Sequence, residues 1–120
     1  MDPEQLHELF APIGPIRIRR LFGGQGIYAD GLIVAIVVGG ELMLKVDSTT
    51  ADEFAEAGSR RWQYARSGRT PVDMPYFTLP EDAFEDSDSA AHWLGLALGA
   101  AHRVKAAQPV SPRRKARKKG

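Results

Sequence analysis

The chain has 120 residues, 43% of them hydrophobic and 26% charged, with no cysteine and a formal net charge of +1. That composition is enough for one domain with a single core, and the missing thiols exclude disulfides, thiolate metal sites and a cysteine nucleophile. The charge is divided along the chain: residues 111–120 hold six Lys/Arg and no acid, leaving residues 1–110 with ten bases against fifteen acids, a net of −5.

Asp2-Pro3 predicts a short helix, with Asp2 as N-cap, Pro3 at the first helical position and Gln5 placed to answer the cap. Leu6, Leu9, Phe10 and Ile13 form its apolar face, and Pro12 with Gly14-Pro15 ends it. Asp2, Glu4 and Glu8 stand where a signal peptide would be basic and apolar, and no apolar run nears the roughly 18 residues of a spanning helix. A cytoplasmic protein without membrane contact is expected. Residues 16–21 alternate, with Ile16 and Ile18 on one face and Arg17 and Arg19 on the other, as in an edge or half-exposed strand.

Residues 21–47 hold the densest apolar segments and read as three strands in a meander. Asp30-Gly31 and Gly39-Gly40 each supply the two positive φ values of a tight hairpin turn. Residues 32–38 are apolar almost throughout and rich in β-branched side chains, which predicts a central strand covered on both faces, or on one face plus a dimer contact. Thr50-Ala51-Asp52-Glu53 is a capping box for a helix that buries Phe54 and ends at Gly58. Trp62, Tyr64 and Arg66 share one side of a following strand, and Met74, Tyr76 and Thr78 one side of the next, with residues 67–71 as the loop between.

Residues 80–86 predict a turn or one helical turn, after which a cap at Asp86 or Ser87 opens the longest helix, about 88–105. Its seam is Ala90, Trp93, Ala97, Ala100, Ala101 and Val104, and Gly95 and Gly99 are expected to let it lie close to the sheet. Pro109-Val110-Ser111-Pro112 then reads as a joint, dividing a domain of residues 1–108 from a disordered basic tail of residues 109–120. The order of elements implies an α+β fold in two layers: an antiparallel sheet of five to six strands with helices on one face.

Gly23-Gly24-Gln25-Gly26 has the composition of an anion cradle. A dinucleotide fingerprint must lead into a helix and a Walker loop needs Gly-Lys-Ser/Thr; here no Lys follows and a strand comes next, so a turn or bulge is expected. His92 and His102, on one predicted helix, point about 80° apart and lie roughly 15 Å apart along its axis. With His7 they read as surface or partly packed side chains, so no metal site is assigned. Ser48, Ser59, Asp47 and the run Glu81, Asp82, Glu85, Asp86 and Asp88 are the remaining acid, base or nucleophile candidates. The run is explained by a helix N-terminus, where carboxylates meet the positive end of the macrodipole, and neither G-x-S-x-G nor H-E-x-x-H occurs. No catalytic residue and no cofactor are assigned, and an enzyme is not expected.

Trp62, Tyr64, Tyr76 and Phe77 could stack on bases, but the acidic charge of the folded part and their alternation favour core positions. Lys45 and Asp47, with Arg19, Arg20 and Tyr28, form either a polar recognition surface or an ion pair closing a strand end. Arg113, Arg114, Lys115, Arg117, Lys118 and Lys119 are candidate nucleic-acid contacts, sufficient for non-specific affinity of about 10⁻⁴ to 10⁻⁶ M.

The run Arg20-Leu21-Phe22-Gly23-Gly24-Gln25-Gly26-Ile27-Tyr28, then Asp30-Gly31, then Glu41-Leu42-Met43-Leu44-Lys45-Val46-Asp47 resembles the signature of the TfoX/Sxy N-terminal domain family. Trp62-Gln63-Tyr64, Gly68-Arg69, Met74-Pro75-Tyr76-Phe77 and Leu79-Pro80 follow in family order, ahead of a helix containing Trp93. The resemblance implies a secretion-chaperone-like fold and a non-enzymatic regulatory or adaptor module acting by protein contacts, in a setting of transcriptional control. Arg20, Phe22, Gly23, Gly24, Gly26, Tyr28, Lys45 and Asp47 form the candidate interaction surface it implies. Larger members of the family are linked to natural competence and carry a second, helical domain where this sequence has its basic tail. Gln25, Ala35 and Met43 stand where the family pattern has aromatic residues. The expected partner is a protein, transcription machinery included, for a monomer or homodimer; the alternatives are a small nucleic-acid-binding protein that uses the tail and, third, an uncharacterised enzyme with a dispersed site.

Overall fold

The computed structural model describes residues 1–21, 23–65 and 67–108. The strands β2 (Gly24–Ala29), β3 (Leu32–Val38) and β4 (Glu41–Lys45) form the expected three-strand meander, and β1 (Arg17–Leu21) extends it as a fourth, edge strand. Both hairpin turns hold their two central residues in the left-handed region: Asp30 and Gly31 at φ 55° and 75°, Gly39 and Gly40 at 59° and 78°. These are the type I′ signs that match the right-handed twist of the flanking strands. Two more strands, β5 (Arg61–Tyr64) and β6 (Val72–Thr78), complete one antiparallel sheet in the order β1-β2-β3-β4-β6-β5. The apolar strand β3 and its neighbour β4 therefore sit in the middle, and β1 is an edge, as their compositions require.

Register assigns every side chain to a face. Ile27 pairs with Ala35 and Tyr28 with Ile33, so one residue, Val34, is absorbed as a bulge between them. All helices lie on the face shared by Ile27, Ala35, Val37, Leu42 and Leu44. They are α1 (Pro3–Leu9), α2 (Ala51–Glu56) and α3 (Ser87–Ala107), with short 3-10 helices at Ala11–Ile13 and Glu81–Phe84. The core between sheet and helices includes Leu6 and Phe10, and Phe54 stacks within 4.7 Å of Trp93 and 6.0 Å of Phe77 between ring centroids.

Two local expectations are corrected. Thr50 precedes α2, but its side chain makes no cap bond to that helix. Its hydroxyl instead accepts from the Asp47 amide and donates to Asp47 Oδ1, at 3.2 and 3.3 Å, tying the exit of β4 into a turn before the helix starts. Thr50 itself is in the helical region, at φ −110° and ψ −18°, where a side-chain cap needs extended backbone. On α3, Gly95 has open space where a Cβ would be and Gly99 meets only the flexible Arg103 side chain. Neither glycine sets the approach to the sheet; the buried alanines 90, 97, 100 and 101 do so, with Trp93 and Leu94, the last of which lies outside the expected seam. The other ends behave as predicted: Asp2 caps α1 through Glu4 N, Asp86 caps α3 through Asp88 N, and Gly58 at φ 86° follows the last turn of α2.

Candidate functional site

The second face of the sheet carries no helix, yet it is not polar. Ile36, Met43 and Tyr76 form a separate buried cluster there, only 1%, 5% and 7% exposed, with Leu21, Ile33, Val38, Trp62 and Met74 packed around it. Glycine explains how side chains on an uncovered face become buried. Gly26 pairs with Ile36 across the ladder and with Arg19 on the other side. A Cβ at Gly26 would stand 3.0 Å from Leu21 Cδ2 and 3.2 Å from Tyr28 Cε1, so the bare backbone is what lets Leu21 and Tyr28 lie down over this part of the sheet.

Cations lie on the rings. Arg19 Cζ sits 5.9 Å from the centroid of Tyr28, and Lys45 Nζ sits 5.4 Å from that of Tyr76, its register partner. Burial lowers the pKa of Lys45, and burial, with a smaller contribution from Tyr28, pushes the Tyr76 phenol up to about 12. Toward β5 the face opens: Trp62 meets Tyr64 edge-on at 6.3 Å and Tyr76 at 6.1 Å, while Tyr64 is 46% and Val72 57% exposed. Among the described residues, the strand positions of this face carry a single carboxylate, Glu41, and Arg60 pairs with it. Arg17, Arg19 and Lys45 thus leave a positive, aromatic surface on a domain whose residues 1–110 sum to −5.

The predicted site residues divide between this face and its margins. Tyr28, Lys45, Gly24 and Gly26 belong to it; Arg20 pairs with Gln25 and points to the other side of the edge strand. Gly23 forms the β1–β2 turn at φ 74°. Phe22 and the six tail cations lie outside the described residues. Lys45 and Asp47 do not pair. Asp47 accepts from Thr49 N and Thr50 Oγ1 and from Arg103 Nε at 2.6 Å and Nη2 at 3.1 Å, and the Arg103 guanidinium, with the local turn bonds, holds its carboxyl below the usual range. Asp47 therefore joins β4 to α3.

The aromatics divide between the two faces of the sheet. Phe77 is in the main core, but Trp62, Tyr64 and Tyr76 are on the open face, because alternation along β5 and β6 sends them away from the helices. His92 and His102 pair with Glu53 at 2.6 Å and Asp30 at 2.9 Å. Among the described residues no group of His, Cys, Asp and Glu could hold a metal ion. The glycine cluster leads into β2, and a Cβ at Gly24 would fall 1.9 Å from the Val37 carbonyl oxygen, so it makes a close backbone contact between strands. Sequence reasoning missed Leu21, Ile33, Ile36 and Met43 as site residues; the usable signal was β3, whose apolar run implied two covered faces.

The family model described as TfoX N-terminal domain matches residues 8–101, from the last residues of α1 through most of α3. The chain belongs to the TfoX N-terminal domain family. No curated protein matches it. The open face of this TfoX N-terminal domain lies wholly inside the matched residues. Among the described residues no helix is long and apolar enough to cross a membrane.

Proposed function

We propose that this TfoX N-terminal domain is a cytoplasmic, non-enzymatic regulatory or adaptor module of the TfoX/Sxy type, and that it works through a protein partner held on the open face of its sheet. The observation that carries the reading is that face: an aromatic and aliphatic patch, without a helix over it, with Arg19 and Lys45 set over the rings of Tyr28 and Tyr76. Rings already capped by Arg19 and Lys45 are poor stacking platforms for bases, whereas the exposed Arg19 guanidinium and the half-buried Lys45 ammonium suit carboxylates around an apolar anchor. The TfoX N-terminal domain is a non-catalytic family, and transcriptional, competence-related regulation is the setting proposed for the contact.

Affinity capture with the wild-type chain and with an Arg19→Glu/Tyr64→Ala variant tests it, since both side chains are exposed and their loss leaves the core intact. A protein that co-elutes with the wild type and is lost from the variant supports the proposal. An empty capture, or the same proteins with both baits, overturns it. A second reading, non-specific nucleic-acid binding, is favoured by the six Lys/Arg of residues 111–120, and would add electrostatic affinity without choosing a sequence.

A further inference from the structure

We infer that the free edge of β1 receives an extended segment of another protein, one in which acidic and apolar residues alternate, as an added strand of the sheet. The strand order leaves two edges, β1 and β5. β5 has four residues and its register with β6 shifts between Arg61 and Gln63, whereas β1 pairs with β2 without a break over all five of its residues. Alternate residues of such an edge direct their N–H and C=O groups outward, and among the described residues no other segment pairs with those of β1. β1 is the regular edge, and it is open.

Its side chains define what fits beside it. Three of its five residues are arginines, all exposed, and neither Arg17 nor Arg20 makes an ion pair or a side-chain hydrogen bond among the described residues. β2 and β3, the next strands inward, contain no acid. Register sets Arg17 and Arg19 opposite Tyr28 and Gly26 on the open face, and Ile18 opposite Ile27 on the face packed by the helices. Beside Ile18 opens a groove of about 830 Å³, lined by residues that include Arg20, Gln25, Val37 and Gly39 and by no acid. An added strand places its own side chains next to these, so its carboxylates fall beside Arg17 and Arg19 while its apolar side chains meet Ile18 and the groove. A second copy of β1 does not fit, because antiparallel pairing centred on Arg19 sets like charges opposite one another. The arginines that bar a like strand are the ones that admit an acidic one. A nucleic acid fits less well, since phosphates only accept hydrogen bonds, whereas the edge presents donors and acceptors together.

The inference does not rest on the open-face reading, and its test uses purified full-length protein, so either can fail alone. Isotope-labelled protein is titrated by NMR with an octapeptide alternating glutamate and valine, the same peptide with lysine for glutamate, the same with proline for valine, and an octathymidylate. At residues 17–21 the glutamate–valine peptide is expected to bind at least tenfold more tightly than the other probes, and to slow amide hydrogen exchange there, as a new ladder must. Arg17→Glu/Arg20→Glu is expected to lower its affinity at least tenfold and to favour the lysine–valine peptide in its place, an exchange that a merely weakened fold would not give. Absence of glutamate–valine binding at about 1 mM, shifts confined to β5 and β6, or a variant that binds like the wild type overturns the inference. Equal binding of the proline peptide, which keeps the carboxylates without the ladder, overturns it as well. Tighter binding of the octathymidylate at residues 17–21 also overturns it and assigns the arginines to phosphate. If the double variant fails to fold by circular dichroism, Arg17→Gln/Arg20→Gln takes its place with the same expected loss of glutamate–valine affinity.

Discussion

A backbone oxygen 1.9 Å from an absent Cβ is a stricter constraint than any turn geometry. Gly24→Ala would drive a methyl into the Val37 carbonyl, and the only relief is separation of β2 from β3, so a loss of about 3 kcal/mol or more is expected in chemical denaturation. Gly23→Ala, whose Cβ meets nothing, carries only the left-handed strain of about 1–2 kcal/mol. Equal costs for the two would refute the close-contact account. Tyr76 makes a second residue-level prediction. Its phenol is pushed up to about 12 by burial, from an ordinary value of 10.0, so between those values the folded state keeps a proton that the unfolded state has lost. Stability should therefore fall as pH rises from about 10 to about 12. Absorbance titration should show one tyrosine ionising late, a step that Tyr76→Phe removes.

Asp47 titrates with the opposite sign. Its folded-state pKa is lowered, first by the Arg103 hydrogen bond, so its contribution is fully present above the unfolded value near 3.8 and disappears as pH falls through the lower folded value. Asp47→Ala loses a turn cap worth about 1 kcal/mol at neutral pH, and its deficit against wild type should shrink in melts below about pH 4. An unchanging deficit across that window would remove the carboxylate from the account.

At the scale of elements, the strands announced themselves and the helices did so less completely. Alternation in residues 16–21 and the two positive-φ dipeptides specify strands and hairpins locally, and they appear where expected. The reading of Gly95 and Gly99 failed because spacing shows which residues share a helix face, while only the packed helix shows which face meets the sheet. Gly95→Ala should therefore stabilise the protein, by up to about 1 kcal/mol, as in an exposed helix interior, where close packing would have predicted a loss. The six-residue α2 depends on one side chain: Phe54, fully buried between Trp93 and Phe77. Phe54→Ala should cost about 3–5 kcal/mol, with the amides of α2 losing hydrogen-exchange protection first.

For the whole molecule, charge is arranged in regions. The helical side carries the corner of five carboxylates, the open face carries three cations and a paired acid, and six more cations lie in residues 111–120. If the tail binds nucleic acid, gel shift with single- or double-stranded probes should show affinity that vanishes in a chain ending at Pro109 and falls with salt at a log–log slope of about −5. Tail-independent binding of the same strength would instead direct attention to the open face.

Local chemistry alone was enough for the meander, the central place of residues 32–38 and the helix boundaries near Asp2, Gly58 and Asp86, while the family followed from a resemblance and not from residue chemistry. Those features depend on neighbours within a few positions, where φ preference and alternation act directly. The open face could not be read that way. Whether Trp62 and Tyr76 join the main core or the opposite side depends on which face of the sheet the helices cover, and that is settled by α3 crossing β3 and β4 from far along the chain. The partnership of Gly26 with Leu21 and Tyr28, and of Asp47 with Arg103, likewise exists only once distant segments meet.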